Sequence, residues 1–397
     1  MRKLFALILS ISFFVLANAQ DKPDPTATNK IKEEEVKNSK VMDIAFHLTD
    51  VSGPRLTSSP GFFRAANWAK DELIKMGLTN VHLEPWGEFG KSWQQEKCYV
   101  AMTAPYYAPL LAMPKAWTGS TPGKGSIKGG IILIKAKDSV ELQQYAGKLK
   151  GKIIMIWSTT ELKPSFTPDG SRQADTSLEK MAKSEGTAPR GGNRPRNNQM
   201  DSAQRAAFAS RGAFTRRLAT FVAAEKPALI LSIGNNGSDG TLFVQGGGSA
   251  KDSVLAPANV VLSSDDFLRL QRLLNAGVNV EMEAEVKTKF FDSDLQGYNV
   301  VAEIPGTDPK LKDEVVMLGG HLDSWQGATG ATDNAAGCSV MMEAVRLIKS
   351  LGMNPRRTIR IALWSGEEQG LFGSRNYVKN HFADPAKMEL KPEHGVV

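Results

Sequence analysis

Apolar residues recur at helical spacing from about Ile31, at Val36, Val41, Ile44, Ala45 and Leu48, which predicts a helix following a polar tether that begins at Gln20. Ser52-Gly53-Pro54 stops it. A second helix is predicted over 61–76, with Phe63, Ala66, Trp68, Leu73 and Ile74 facing inward and Gly77 ending it. Segments 79–85 and 95–103 read as strands. Between about 108 and 286 the texture changes: short β-rich runs at 130–134, 152–157, 228–233 and 278–286 alternate with Gly-rich turns. Beyond this stretch, 298–304 and 315–318 are predicted strands. They are followed by a helix over 335–349 with Val340, Met341, Ala344, Val345 and Ile348 inward, a strand at 359–364 and a helix at 371–380. Strand–helix alternation predicts an α/β fold, here a mostly parallel-sheet domain interrupted by a β-rich module. The expected layout is 20–107 and 288–397 for the outer domain and 108–287 for the insert.

The first residues have a different character. Met1-Arg2-Lys3 is basic, 4–16 is almost wholly apolar, and Ala17-Asn18-Ala19 has the small-x-small pattern of a signal-peptidase site. Residues 1–19 are therefore expected to be an export signal, giving a periplasmic or secreted protein. Thirteen apolar residues fall short of the roughly 20 that span a bilayer, and no later run reaches that length, so no membrane span is predicted. The junction has no cysteine that could carry a lipid.

Of the 397 residues, 41% are apolar and 23% charged, enough for a folded core. Two cysteines exclude both a disulfide framework and a Cys-rich zinc module. A net charge of +7 invites a nucleic-acid partner. The excess is local, however: 180–217 holds nine Lys or Arg against Glu185 and Asp201, in a Gly-, Pro- and Asn-rich setting. Only Phe208 and Phe214 interrupt it, too few for base stacking, so it reads as a solvated loop with no nucleic-acid partner.

Two clusters carry chemistry, each after a predicted strand, where open α/β sheets place ligands. One is Gly319-Gly320-His321-Leu322-Asp323-Ser324, with Asp333-Asn334-Ala335-Ala336-Gly337 beyond it. The other is Ser365-Gly366-Glu367-Glu368-Gln369-Gly370. An imidazole and carboxylates without a thiolate suit Zn²⁺ or a similar divalent ion. Asp323, two residues after His321 on an extended backbone, is placed to accept the imidazole's other N–H. Asp333, just ahead of a helix, has two oxygens with which to bridge a pair of ions. Glu367 and Glu368 diverge at a strand-to-helix junction, so one can ligate while the other serves as general base. Carboxylates buried with no Lys or Arg close in sequence need a cation.

These ordered motifs resemble the co-catalytic zinc exopeptidase family of bacterial aminopeptidases and plasma glutamate carboxypeptidase. Ser52-Gly53-Pro54-Arg55-Leu56 and the insert, similar to a protease-associated domain, point to its secreted branch. The resemblance implies two Zn²⁺, with His321 on one, Asp333 bridging both and Glu368 on the other. It further implies Glu367 as general base, Asp323 as the partner of His321, and hydrolysis of a terminal peptide bond in a peptide or dipeptide. The family adds a further Asp and His after the Glu pair. Asp384, Glu389, Glu393, His381 and His394 do not match their motifs, so those ligands are expected beyond Val397, in a sequence truncated at its C-terminus. Two other functions fit less well. A non-catalytic receptor-like ectodomain would not need Glu367, and a glutaminyl-cyclase-like acyl transferase is disfavoured by the insert. No Gly-x-Ser-x-Gly, phosphate loop or dinucleotide fingerprint occurs. His47 and His82 read as ordinary helix and strand residues, Arg55 as supporting the substrate region or a structural ion pair, and Cys98 and Cys338 as unpaired thiols. The oligomeric state is left open, a homodimer included.

Overall fold

The computed structural model describes residues 24–163, 166–168, 170–183, 202–234, 240–384, 387 and 389–391; the predicted export signal and His394 lie outside them. The first helix, α1 (Pro25–Asn38), starts earlier than its apolar spacing suggested. Asp24 Oδ1 accepts from Thr26 N–H at 2.9 Å and Pro25 occupies the first helical position, a start signal independent of amphipathicity. After α2 (Val41–Phe46) and a wide turn at His47–Val51 comes α3 (Pro60–Lys75), capped by Ser59 Oγ on Phe62 N–H. Its buried stripe is Phe62, Ala65, Ala66, Ala69 and Leu73, while Ile74 is exposed. The helix is thus rotated from the expected face, because its run of alanines lets it lie close on the sheet, with Phe63 and Trp68 at the margin.

Strand β1 (Thr79–Glu88) is followed by β2 (Ser92–Ala104), β3 (Ala108–Pro109), β4 (Ala112–Pro114), β5 (Ile127–Ile134), β6 (Ile153–Ile156), α4 (Ser202–Glu225), β7 (Leu229–Ile233), β8 (Asn259–Leu262), α5 (Ser264–Asn275) and β9 (Glu281–Phe291). The polypeptide then runs through β10 (Gln296–Ile304), β11 (Val315–His321), α6 (Ala336–Ser350), β12 (Thr358–Trp364) and α7 (Phe372–His381).

Two sheets result. The first has order β1-β10-β12-β11. The α/β class holds, but the sheet is less parallel than expected: β10 is antiparallel to both neighbours, and only β11 and β12 run parallel. The reason is topological, since β10 returns directly beside β1 and only β11 reaches β12 through a crossover helix, α6. One face packs on α3 and α6 through Phe62, Leu73, Val300, Ile361, Leu363 and Val345; the other buries Val301 and Ala362 against Tyr377 of α7. On α6 the buried positions are Cys338, Ser339, Met342, Glu343, Val345 and Leu347, with Val340 half exposed. Glu343 is tolerated inside because Arg346 binds it at 2.7 Å while also reaching Glu34 of α1.

The second sheet has order β3-β2-β9-β5-β6-β7-β8-β4 and a parallel centre from β5 to β8. It begins at Ser92 rather than near 108, because β2 finds its long antiparallel partner in β9. Helices pack on it as well: Phe267 and Leu270 of α5 join Met155, Leu231 and Val260, while Val222 of α4 joins Ile154 and Ile230. From Ser202 the supposed basic loop is helical, since past Pro195 the sequence turns Ala-rich. Leu56, Trp86, Phe89, Trp93, Trp117 and Ala250 form a smaller cluster shared by the two sheets.

Candidate metal centre

His321 ends β11, in register with Trp364 at the end of β12. That register is tight: a Cβ on Gly319 would lie 2.0 Å from Ala362 O. A glycine there lets the two strands run close together, so that the loops carrying His321 and the Glu pair leave the sheet side by side.

One ligand atom each from His321, Asp333 and Glu368 lies within 4.8 Å of the others. His321 Nε2 is 2.9 Å from Asp333 Oδ1 and 3.8 Å from Glu367 Oε2. His321 Nδ1 lies 3.1 Å from the backbone carbonyl of Asp323 and 3.8 Å from its carboxylate Oδ1. The main chain of Asp323, not its carboxylate as expected, therefore accepts the Nδ1–H. In the neutral imidazole this leaves Nε2 as the nitrogen able to bind a metal. It faces a carboxylate oxygen, an arrangement suited to a proton or a metal ion held between them. Among the described residues no Lys or Arg pairs with Asp333, Glu367 or Glu368. The donor set, one imidazole nitrogen and carboxylate oxygens, fits a divalent ion of the zinc type.

The carboxylate of Asp323 is occupied elsewhere. Fully buried, it accepts from Thr57 Oγ1 at 2.9 Å and from the backbone N–H groups of Glu367 and Glu368, both at 3.3 Å. Burial pushes this carboxyl up, opposed by His321, Thr57 and the two N–H groups. Asp323 thereby ties the His321 loop to the Glu367–Glu368 loop. Burial, then the charges of Asp333 and Asp323, push the Glu368 carboxyl up to about 7.

Two supports of this arrangement escaped the sequence reading. Thr57 binds Asp323, lies 2.7 Å from Gln369 Oε1 and accepts from Gly366 N–H at 3.1 Å. Asn299 Oδ1 accepts from Ser365 N–H, while Trp86 Nε1 donates to Ser365 Oγ at 2.9 Å. Nothing local marks Thr57 or Asn299, which lie far in sequence from their partners. Among the described residues Arg55 forms no ion pair with a carboxylate. Fully buried, its guanidinium donates to the carbonyls of Leu322, Leu48, Thr329 and Gly330, pinning the loop that leads to Asp333.

His381 stands apart, 2.7 Å from Glu84 Oε1. His47 stacks on Trp68, and His82 Nδ1 faces Asn80 O. Both cysteines are free; burial pushes the Cys338 thiol up to about 12, and Cys338 Sγ contacts His321 O at 3.1 Å.

Residues 299–392, which hold every candidate ligand, match peptidase family M28. Over 348 residues the chain is 27% identical to carboxypeptidase Q of Mus musculus, covering 87% of this chain and 62% of the relative. It thus spans under two thirds of the length of the curated relatives it matches along most of its sequence. A 95-residue stretch is 43% identical to an aminopeptidase of Pseudomonas aeruginosa, covering 24% of this chain and 16% of that one. Among solved structures, a peptidase M28 precursor from Shewanella amazonensis superposes with a TM-score of 0.56 at 26% identity, covering 90% of this chain and 70% of its own. By these likenesses, and by the ordered residues brought together near the ends of β11 and β12, the chain is similar to the M28 peptidases, which supports the co-catalytic zinc exopeptidase family for it.

Proposed function

We propose that this protein acts as a zinc-dependent exopeptidase, of the aminopeptidase or dipeptidase type, on terminal peptide bonds. The observation that carries the proposal is the meeting of His321, Asp333 and Glu368 within 4.8 Å, with the Glu367 carboxylate 3.8 Å from His321 Nε2. His321, Asp333 and Glu368 would hold the metal, with Asp333 as the bridge if two ions bind. A divalent ion there supplies Lewis acidity toward the peptide carbonyl and lowers the pKa of water.

The protein's own residues do the rest. The Asp323 carbonyl fixes the His321 tautomer, keeping Nε2 available. The Asp323 carboxylate holds the Glu367 and Glu368 backbones in place. Glu367, two-thirds buried and outside the ligand trio, takes the proton of the attacking water on its carboxylate and returns it to the leaving amine. A binding ectodomain would have no use for that residue.

The domain layout belongs to the same reading. β1 and β10 are adjacent antiparallel strands of the first sheet, and everything from β2 to β9 lies between them in sequence. This supports an inserted, protease-associated-type domain within the peptidase domain. Export follows from residues 1–19, and no helix among the described residues is long and apolar enough to cross a membrane.

The test is hydrolysis of aminoacyl anilides and dipeptides by the zinc-loaded protein, with and without chelator. Glu367→Gln should keep its metal and lose turnover. Undiminished turnover in that variant would rule out the assigned role.

A further inference from the structure

The Thr57 hydroxyl, fully buried, has three close polar neighbours. Its Oγ1 lies 2.9 Å from Asp323 Oδ2, 2.7 Å from Gln369 Oε1 and 3.1 Å from the backbone nitrogen of Gly366. A threonine hydroxyl has one proton to donate and two lone pairs with which to accept. The Gly366 N–H takes one lone pair, which leaves two oxygens competing for the single proton. Whichever oxygen loses faces Oγ1 with no hydrogen between them, and at low local dielectric that contact is unfavourable.

Gln369 has the complementary defect. Its Nε2 is buried and has no hydrogen-bond partner among the described residues, and an orphaned buried donor is costly. One change removes both faults. The two ends of a primary amide have the same shape, so a half-turn about the last side-chain bond exchanges them. Nε2 then donates to Thr57 Oγ1 from the place where Oε1 stood. The count at Thr57 closes: it accepts from Gln369 and Gly366 and donates to Asp323. What remains is a carbonyl on the far side of the amide. That is the lesser cost, since buried carbonyls without a partner are commoner than buried N–H groups without one. The reverse order, with a proton on Asp323 and Thr57 donating to Gln369, leaves the Gln369 N–H groups orphaned.

We infer that Gln369 is a positioning residue of the centre: its amide donates to Thr57 and thereby commits the Thr57 proton to Asp323. Donation runs one way, from Gln369 through Thr57 to Asp323. The Asp323 carboxylate, which also accepts the backbone N–H groups of Glu367 and Glu368, thus keeps a third donor on Oδ2. Gln369 directly follows the two glutamates in sequence, yet it steadies them through a hydroxyl 312 positions away. The inference rests on the exopeptidase reading, in which Glu367 is the base and Glu368 a metal ligand.

Neutron diffraction from crystals of the perdeuterated, zinc-loaded full-length protein locates the deuterons directly. Expected are an N–D of Gln369 aimed at Thr57 Oγ1 and the Thr57 O–D aimed at Asp323 Oδ2. A carbonyl end facing Thr57, with the Thr57 O–D turned toward it, overturns the inference. Zinc titrations of Gln369→Met, Thr57→Val and the double variant supply a second readout. Gln369→Met keeps the length of the side chain and removes the donor, so zinc affinity should fall about 3- to 10-fold. Were Gln369 only an acceptor, the same change would free the Thr57 proton for Asp323, and affinity would hold or rise. In the Thr57→Val background, Gln369→Met should change affinity by less than about twofold, because its route to Asp323 is already cut. Full additivity of the two substitutions, or wild-type affinity in Gln369→Met, counts against the role. Neither readout needs turnover, so failure of the exopeptidase reading shows separately, as intact zinc binding without hydrolysis of any dipeptide.

Discussion

Thr57 Oγ1 lies 2.9 Å from Asp323 Oδ2, although 266 positions separate the two residues in sequence. The same Asp323 carboxylate accepts the backbone N–H groups of Glu367 and Glu368, so a threonine on an N-terminal loop sets the posture of both C-terminal glutamates. Thr57→Val keeps the shape, removes the donor and leaves Gly366 N–H without its acceptor. Metal affinity and turnover should each fall about 10- to 100-fold, and Thr57→Ser should restore most of both. Zinc titration of the two variants reads the effect directly; wild-type affinity in Thr57→Val would show that Asp323 needs no such support.

Arg55 is a buried cation whose partners are main-chain carbonyls. Arg55→Met would strand the carbonyls of Leu322, Leu48, Thr329 and Gly330, at a cost of about 3 kcal/mol or more in unfolding free energy. Urea denaturation with and without zinc measures this. A loss below about 1 kcal/mol would mean that the loop re-forms its bonds without the guanidinium.

The pH dependence follows from Glu368. In the ion-free protein its carboxyl is pushed up to about 7 from 4.5, by burial first and then by Asp333 and Asp323. The folded state therefore holds a proton between these limits that the unfolded state has released. The group's contribution to ion-free stability is fully present below about pH 4.5 and is lost as pH rises through 7. An ion must displace that proton, so zinc affinity should weaken by up to about tenfold per unit below pH 7. Zinc titrations and thermal melts of wild type and Glu368→Gln at about pH 5.5, 6.5 and 7.5 isolate the effect; identical pH slopes in the two would refute it.

Most elements could be located from periodicity. The strands ending at Ile304 and Trp364 and the helix after Asp333 fall within a few residues of their predicted places, because long apolar runs and glycine stops are local signals. What periodicity could not supply was orientation and pairing. Packing rotated the buried face of α3 toward its alanines, Glu343 was drawn inside by Arg346, and β2 was claimed by β9 rather than by the first sheet. The candidates His321, Glu367 and Glu368 could be singled out because they sit in short motifs at strand ends, and Asp333 because it stands just ahead of α6. Thr57 and Asn299 could not, since each acts through side-chain hydrogen bonds to residues far away in sequence, Thr57 from a loop and Asn299 from β10.

The most direct test is anomalous diffraction at the zinc edge from crystals of the wild-type protein grown with Zn²⁺, beside His321→Ala and Glu368→Ala. Expected is a strong peak among His321 Nε2, Asp333 and Glu368 that disappears or weakens sharply in both variants. Zinc bound only elsewhere, or a peak of equal strength in the variants, would contradict the proposed centre.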